Sequence, residues 1–177
     1  LEVTTEDRPV DMVEEAYDLV IRVNPDPDES LVGRAFLRDR LVVVASPEVK
    51  PSTEGAPAPA VVRGRAEESE TWHVATAGGP SAIAVRPVLS LSSLPMVRDA
   101  VRMGTGVARL PISLVSHDLA AGRLDHWGDV EGSEIALWAL YPSRRLLSAR
   151  VSAFLDHLRE AFPDGSPEEL ARYVGNG

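Results

Sequence analysis

The sequence predicts an α/β fold with a largely parallel sheet, on three observations. Short apolar runs rich in β-branched residues alternate with segments of helical periodicity along the whole chain. With 44% hydrophobic and 25% charged side chains in 177 residues, the chain can bury one sizeable core or two small lobes. KPSTEGAPAP, from Lys50 to Pro59, carries three prolines and one glycine with little apolar content, and divides the chain there.

From the start, Leu1 to Thr4 reads as a strand, and Pro9 stands in the first turn of a short helix with Val10 and Val13 on one face. DLVIRV (Asp18 to Val23) is a β-branched run that predicts a buried strand, ended by the two prolines of the loop that follows it. Leu31 to Phe36 and Leu41 to Ala45 predict two further strands; the unbroken LVVVA is expected of a strand covered on both faces. Beyond the break, TWHVAT and SAIAV flank a Gly-rich turn and predict an antiparallel hairpin, with Val88 to Leu91 as a separate strand. Ser92 and Ser93 stand where an N-cap belongs, before LPMVRDAVRM with Leu94, Val97 and Val101 at helical spacing. Val107 to Leu110 is the next strand, Pro111 opens a helix that stops at Gly122, and Leu124 to Trp127 is extended. Ile135 to Tyr141 forms the last strand, Ser148 to Phe162 an amphipathic helix, and Ser166 to about Val174 a short terminal helix with acidic residues in its first turn.

Composition excludes several functions. Eighteen Lys plus Arg against 27 Asp plus Glu leave a net charge of −9, and no segment gathers enough basic residues to neutralise a row of phosphates, so these residues alone are not expected to bind DNA. The absence of cysteine removes disulfides, thiol nucleophiles and thiolate metal sites, and is compatible with a cytoplasmic setting. No apolar run is long enough to span a membrane. The four histidines, His73, His117, His126 and His157, share no metal-ligand spacing, and neither a Gly-x-Ser-x-Gly elbow nor a Gly-rich phosphate loop occurs. No metal, cofactor or catalytic residue is therefore expected. Trp72, Trp127 and Trp138 sit in or beside strand candidates and read as packing residues.

Several segments resemble, in order and wording, the effector-binding domain of LysR-type transcription regulators. They are DRPVDMVEEAYDLVIRV (Asp7 to Val23), SLVGRAF (Ser30 to Phe36), LVVVASPE (Leu41 to Glu48), VRMGTGVARLP (Val101 to Pro111), DLAAGRLDHW (Asp118 to Trp127) and LYPSRRLLSARVSAFLDHLRE (Leu140 to Glu160). The resemblance implies two Rossmann-like lobes of the type 2 periplasmic-binding-protein kind. The family's opening strand and helix, its winged helix-turn-helix and its linker helix are expected outside this sequence, leaving the first lobe incomplete at its N-terminus. On that reading residues 1–50 form the first lobe, 51–62 the crossover and 63–127 the second lobe. Residues 128–177 are a return crossover whose helices pack back on the first lobe.

In open α/β sheets ligands bind beyond the carboxyl ends of strands, where helix N-termini favour anions. Two turns match that description, Thr4 and Thr5 after the first strand, and Ser92, Ser93 and Leu94 in the second lobe; in each the hydroxyls serve either a carboxylate or an ordinary helix cap. The resemblance places the first-lobe effector contact at the first of these turns, on Thr5. Arg22, ending a predicted buried strand, could grip a carboxylate through paired hydrogen bonds or pair with an acid such as Asp18. Arg109 stands where the resembling segment has a small or apolar residue, and its side chain could face the ligand or solvent. The expected activity is the sensing of a small, anionic organic effector between the lobes by a cytoplasmic homodimer or larger homo-oligomer. Pairing helices are expected to include Arg8 to Tyr17 or Met96 to Met103, and DNA contact would come only through the helix-turn-helix outside this sequence. A stand-alone solute-binding protein of a transport system is the alternative.

Overall fold

A computed structural model describes residue 3 and residues 17–26, 31–51, 56–65, 69–142 and 148–174. The chain forms two compact units: residues 1–38 with 136–165, and residues 39–135 with 166–177. It passes from one to the other at Arg38/Asp39, Ile135/Ala136 and Gly165/Ser166.

The first unit holds β1 (Val20–Val23), the opening half of β2 (Leu31–Ala45), the closing part of β7 (Asp125–Pro142) and α3 (Ala149–Ala161), with strands in the order β1-β7-β2. β1 runs antiparallel to β7, Arg22 lying opposite Trp138. Leu31 and Leu140 form a small core with Tyr17, Val20, Trp138 and Tyr141 around them. β1 is not the buried strand expected: Ile21 is 48% and Val23 60% exposed. Among the described residues its recorded strand partner is β7, so β-branched residues here mark an extended backbone with half its side chains on an open face. α3 starts where the sequence expects a helix, and Ser148 Oγ caps it by accepting the Val151 N–H at 3.2 Å.

In the second unit β2 continues beside β6 (Val107–Pro111), β3 (Ala58–Arg63), β5 (Gly79–Leu91) and β4 (Glu70–Thr76), in that order, and β4 also pairs with β7. The sheet is mixed where a largely parallel one was expected. β3 is parallel to β5 and β6, while β2–β6, β4–β5 and β4–β7 are antiparallel. The two-residue Ala77-Gly78 link makes antiparallel pairing of β4 with β5 obligatory, because a parallel return needs a long crossover. One face buries Val42, Val44, Ala108 and Leu110 against Val97 and Val101 of α1 (Leu94–Arg102) and Val115 of α2 (Ile112–Ala120); the other buries Val43, Ala45 and Val107 against Trp72, Val74 and Val85. LVVVA is thus covered on both sides, as its unbroken apolar run predicts.

The unit boundaries differ from those read in the sequence. Residues 39–50 belong to the second unit, and residues 58–63 of the expected crossover form β3 inside its core. α4 (Pro167–Val174) packs on α2 in the second unit rather than returning to the first lobe, with His117 Nε2 and the Ala171 carbonyl 3.0 Å apart. Glu169, buried, accepts the Ser166 N–H at 3.1 Å and closes the helix start.

Candidate functional site

Because β3 is parallel to both its neighbours, β5, β3 and β6 end along one edge of the second unit's sheet. α1 leaves β5 there and α2 leaves β6, both on the same sheet face and two strand spacings, roughly 10 Å, apart. Two helix N-termini, each with unsatisfied N–H groups and a positive dipole end, therefore lie along one edge.

The two ends are finished differently. The N-cap of α2 is Pro111, which offers no side-chain acceptor. Asp39 of β2 instead brings a carboxylate to a side chain of the first turn. Its carboxylate accepts the Ser113 hydroxyl at 2.6 Å and the Arg40 N–H at 2.7 Å, and is only 6% exposed. A negative charge from elsewhere in the chain thus already sits at the first turn of α2. At α1 no acidic residue occupies the first turn. Ser93 Oγ accepts the Met96 N–H at 3.5 Å, Pro95 has no N–H to offer, and Ser92 is exposed beside it. Leu94 turns onto the core below. The turn Ser92-Ser93-Leu94 is therefore a helix start without a carboxylate of its own, with Ser93 as the cap and Ser92 open to solvent.

Arg109 lies on the opposite face of that sheet. Along β6, Ala108 and Leu110 face the helices, whereas Val107 and Arg109 face the Trp72 side. Arg109 Nη2 is 3.1 Å from Glu70 Oε2, its guanidinium lies 4.7 Å from the centre of the Trp72 ring, and Trp72 Nε1 donates to the same Glu70 oxygen at 2.8 Å. The arginine thus closes one end of the cluster that buries Trp72 to 2% exposure. Arg22 is half-buried in the first unit; Asp18, its suggested counter-ion, is 3.7 Å from Arg150. Thr4 and Thr5 lie outside the described residues. The expected contacts brought together on one turn are Ser92, Ser93 and Leu94.

Sequence reasoning passed over two buried acids, one at the start of α2 and the other at the C-terminal ends of α1 and α2. Asp39 is one; its signal was a single acid between Arg38 and Arg40 on a strand whose alternation buries Leu37 and position 39. Asp118 is the other, 3% exposed, 2.6 Å from Arg123 Nε and 3.5 Å from Arg102 Nε, joining the ends of α1 and α2. Among the described residues no group of three His, Cys, Asp or Glu side chains could hold a metal ion, and no helix is long and apolar enough to cross a membrane.

The sequence matches the family described as LysR substrate binding domain over residues 1–163. This chain belongs to that family. LysR-type domains are its structural neighbours as well. The regulatory domain of CrgA, a LysR-type transcriptional regulator from Neisseria meningitidis, superposes with a TM-score of 0.67 at 26% identity, covering 85% of this chain and 78% of that one. Full-length AphB of Vibrio cholerae shares the fold with a TM-score of 0.69 at 20% identity, over 91% of this chain and 57% of that one. Among curated proteins, the HTH-type transcriptional regulator DmlR of Escherichia coli (strain K12) is 31% identical over 170 residues, covering 92% of this chain. The chain spans about half the length of the curated relatives it matches, 55% of DmlR. The fold is thus the LysR effector-binding fold, related to periplasmic binding proteins.

Proposed function

We propose that this LysR effector-binding domain senses a small organic anion, whose carboxylate docks at the first turn of α1 on Ser92, Ser93 and the Leu94 N–H. One observation carries this choice: of the two helix starts on the sheet edge, that of α2 is already held by Asp39, while that of α1 has hydroxyls and no acid. The resemblance adds the turn of Thr4 and Thr5 as the first-lobe contact, and Arg22 is added on its chemistry, as a guanidinium able to grip a carboxylate. Arg109 lies on the opposite sheet face, against Trp72 and Glu70, and is not assigned to this turn.

The domain acts within a cytoplasmic LysR-type transcription regulator that works as a homodimer or larger homo-oligomer. DNA binding falls to a helix-turn-helix segment outside these residues, as the names of the HTH-type relatives suggest. Effector binding shifts the balance of two arrangements by its differential affinity for them, and the oligomer carries the change to DNA.

A thermal-shift screen of small organic acids tests the proposal. A ligand at about 100 times its Kd stabilises the folded state by about 2.7 kcal/mol, which raises Tm by several degrees. Ser93→Leu and Thr5→Leu variants are expected to keep the fold and lose most of the shift. Unchanged affinity in both would remove the effector from these turns.

A further inference from the structure

We propose a second anion site in the first unit, remote in sequence from the α1 turn and independent of its assignment: a cavity between β2 and the end of α3 that takes a small carboxylate with an apolar body. The cavity, of about 250 Å³, is lined by Arg34 to Arg38 of β2, by Arg159, and by Phe162 to Gly165. On a strand, alternate side chains share a face, so Arg34, Phe36 and Arg38 form one row. That row faces α3: Arg34 Nη2 donates to the Leu155 carbonyl at 3.4 Å, and the Phe36 and Phe162 rings meet with centroids 5.7 Å apart.

The lining is cationic within an acidic protein. Three arginines meet one acid, Asp164, in a chain of net charge −9. Arg159 is shared with Asp156 at 3.0 Å, and the bond from Arg34 to Leu155 is long, which leaves most of that guanidinium's donors unused. Arg38 projects from the same row, and its main-chain N–H fixes the cavity floor by donating to the Gly165 carbonyl at 2.8 Å. The three arginines are exposed, and Asp156 and Asp164 offset part of their charge, so it is the planar guanidinium forks of Arg34 and Arg38 that suit a carboxylate here. The Phe36–Phe162 pair supplies an apolar wall beside those forks. The volume lies just below the roughly 300–1,000 Å³ range of drug-sized pockets, which favours a single-ring or branched-chain acid over a nucleotide.

Phenylacetate is a suitable probe, with neutral phenylacetamide as its uncharged counterpart, followed by titration calorimetry on the intact chain. Binding of phenylacetate is expected in the wild type, weakened at least about tenfold in Arg34→Gln/Arg38→Gln and unaffected by Ser93→Leu. Arg38→Lys, which keeps the charge and loses the fork, is expected to fall in between, and guards against a double variant that fails to fold. No phenylacetate binding, equal binding of phenylacetamide, or loss in Ser93→Leu with full affinity in the arginine variants would each overturn the proposal.

Discussion

Two side chains illustrate how single residues set the second unit's geometry. Asp39 is buried beside the start of α2, whose N-cap Pro111 has no side-chain acceptor, and its carboxylate holds the Ser113 hydroxyl and brings a negative charge to that first turn. Asp39→Ala is expected to lose about 1–3 kcal/mol in urea unfolding, since the Ser113 hydroxyl and the Arg40 N–H lose their acceptor, while Asp39→Asn loses less. Arg109 was legible as a departure from an apolar pattern, but its direction was not. Strand alternation sends it away from the α1 turn, onto Trp72 and Glu70. Removing it in Arg109→Ala is expected to shift tryptophan emission to the red and to cost about 1 kcal/mol, the size of a partly exposed cation–π contact. Emission identical to wild type would show that the arginine does not shield Trp72.

At the scale of elements, the sequence breaks three strands that the structure leaves whole. Leu31 to Ala45, Gly79 to Leu91 and Asp125 to Pro142 are each continuous. The apparent gaps are Arg38-Asp39-Arg40, Arg86-Pro87, and the stretch holding Gly128 and Gly132, where polar, proline or glycine residues interrupt an apolar run. Extended backbone persists through them because partner strands keep the ladder going: Pro87 lies opposite Ala60, and the Leu41 N–H finds Ser133 Oγ at 3.1 Å. β3 was missed for a related reason, Pro57 just before it and Pro59 within it drawing attention from the AVVR that follows. The helices were easier, because Ser93 and Ser148 cap where local chemistry says they should. Gly106, between α1 and β6, is required by a close approach: a Cβ there would collide with the Pro59 carbonyl, where β6 meets β3. Gly106→Ala is expected to cost about 3 kcal/mol, the upper end of overpacking penalties, because backbone rather than a side chain stands in the way. A chemical denaturation midpoint equal to wild type would show that the strands can part without cost.

Across the whole molecule, three passages join the two units, two of them inside continuous strands and the third between α3 and α4. α4 lies past residue 163, where the family match ends, yet it is built into the second unit through buried Ala171, the capped Glu169 and the contact with His117. Deleting residues 166–177 is expected to lower stability by on the order of 2 kcal/mol, from the apolar area lost on α2, and to speed hydrogen exchange in residues 112–120 first. Exchange unchanged there would mean that α4 adds nothing to α2. By itself the sequence determined the α/β class, the helices with their caps, the doubly covered LVVVA strand and the family, because these depend on local periodicity, capping chemistry and ordered motifs. Tertiary structure alone decided where the units divide, which strands run parallel, that α4 joins the second unit, and which helix start already holds a carboxylate. Each of those rests on contacts between residues far apart in the chain, Asp39 with Ser113 and His117 with Ala171 among them, and such pairings leave no mark on the local pattern.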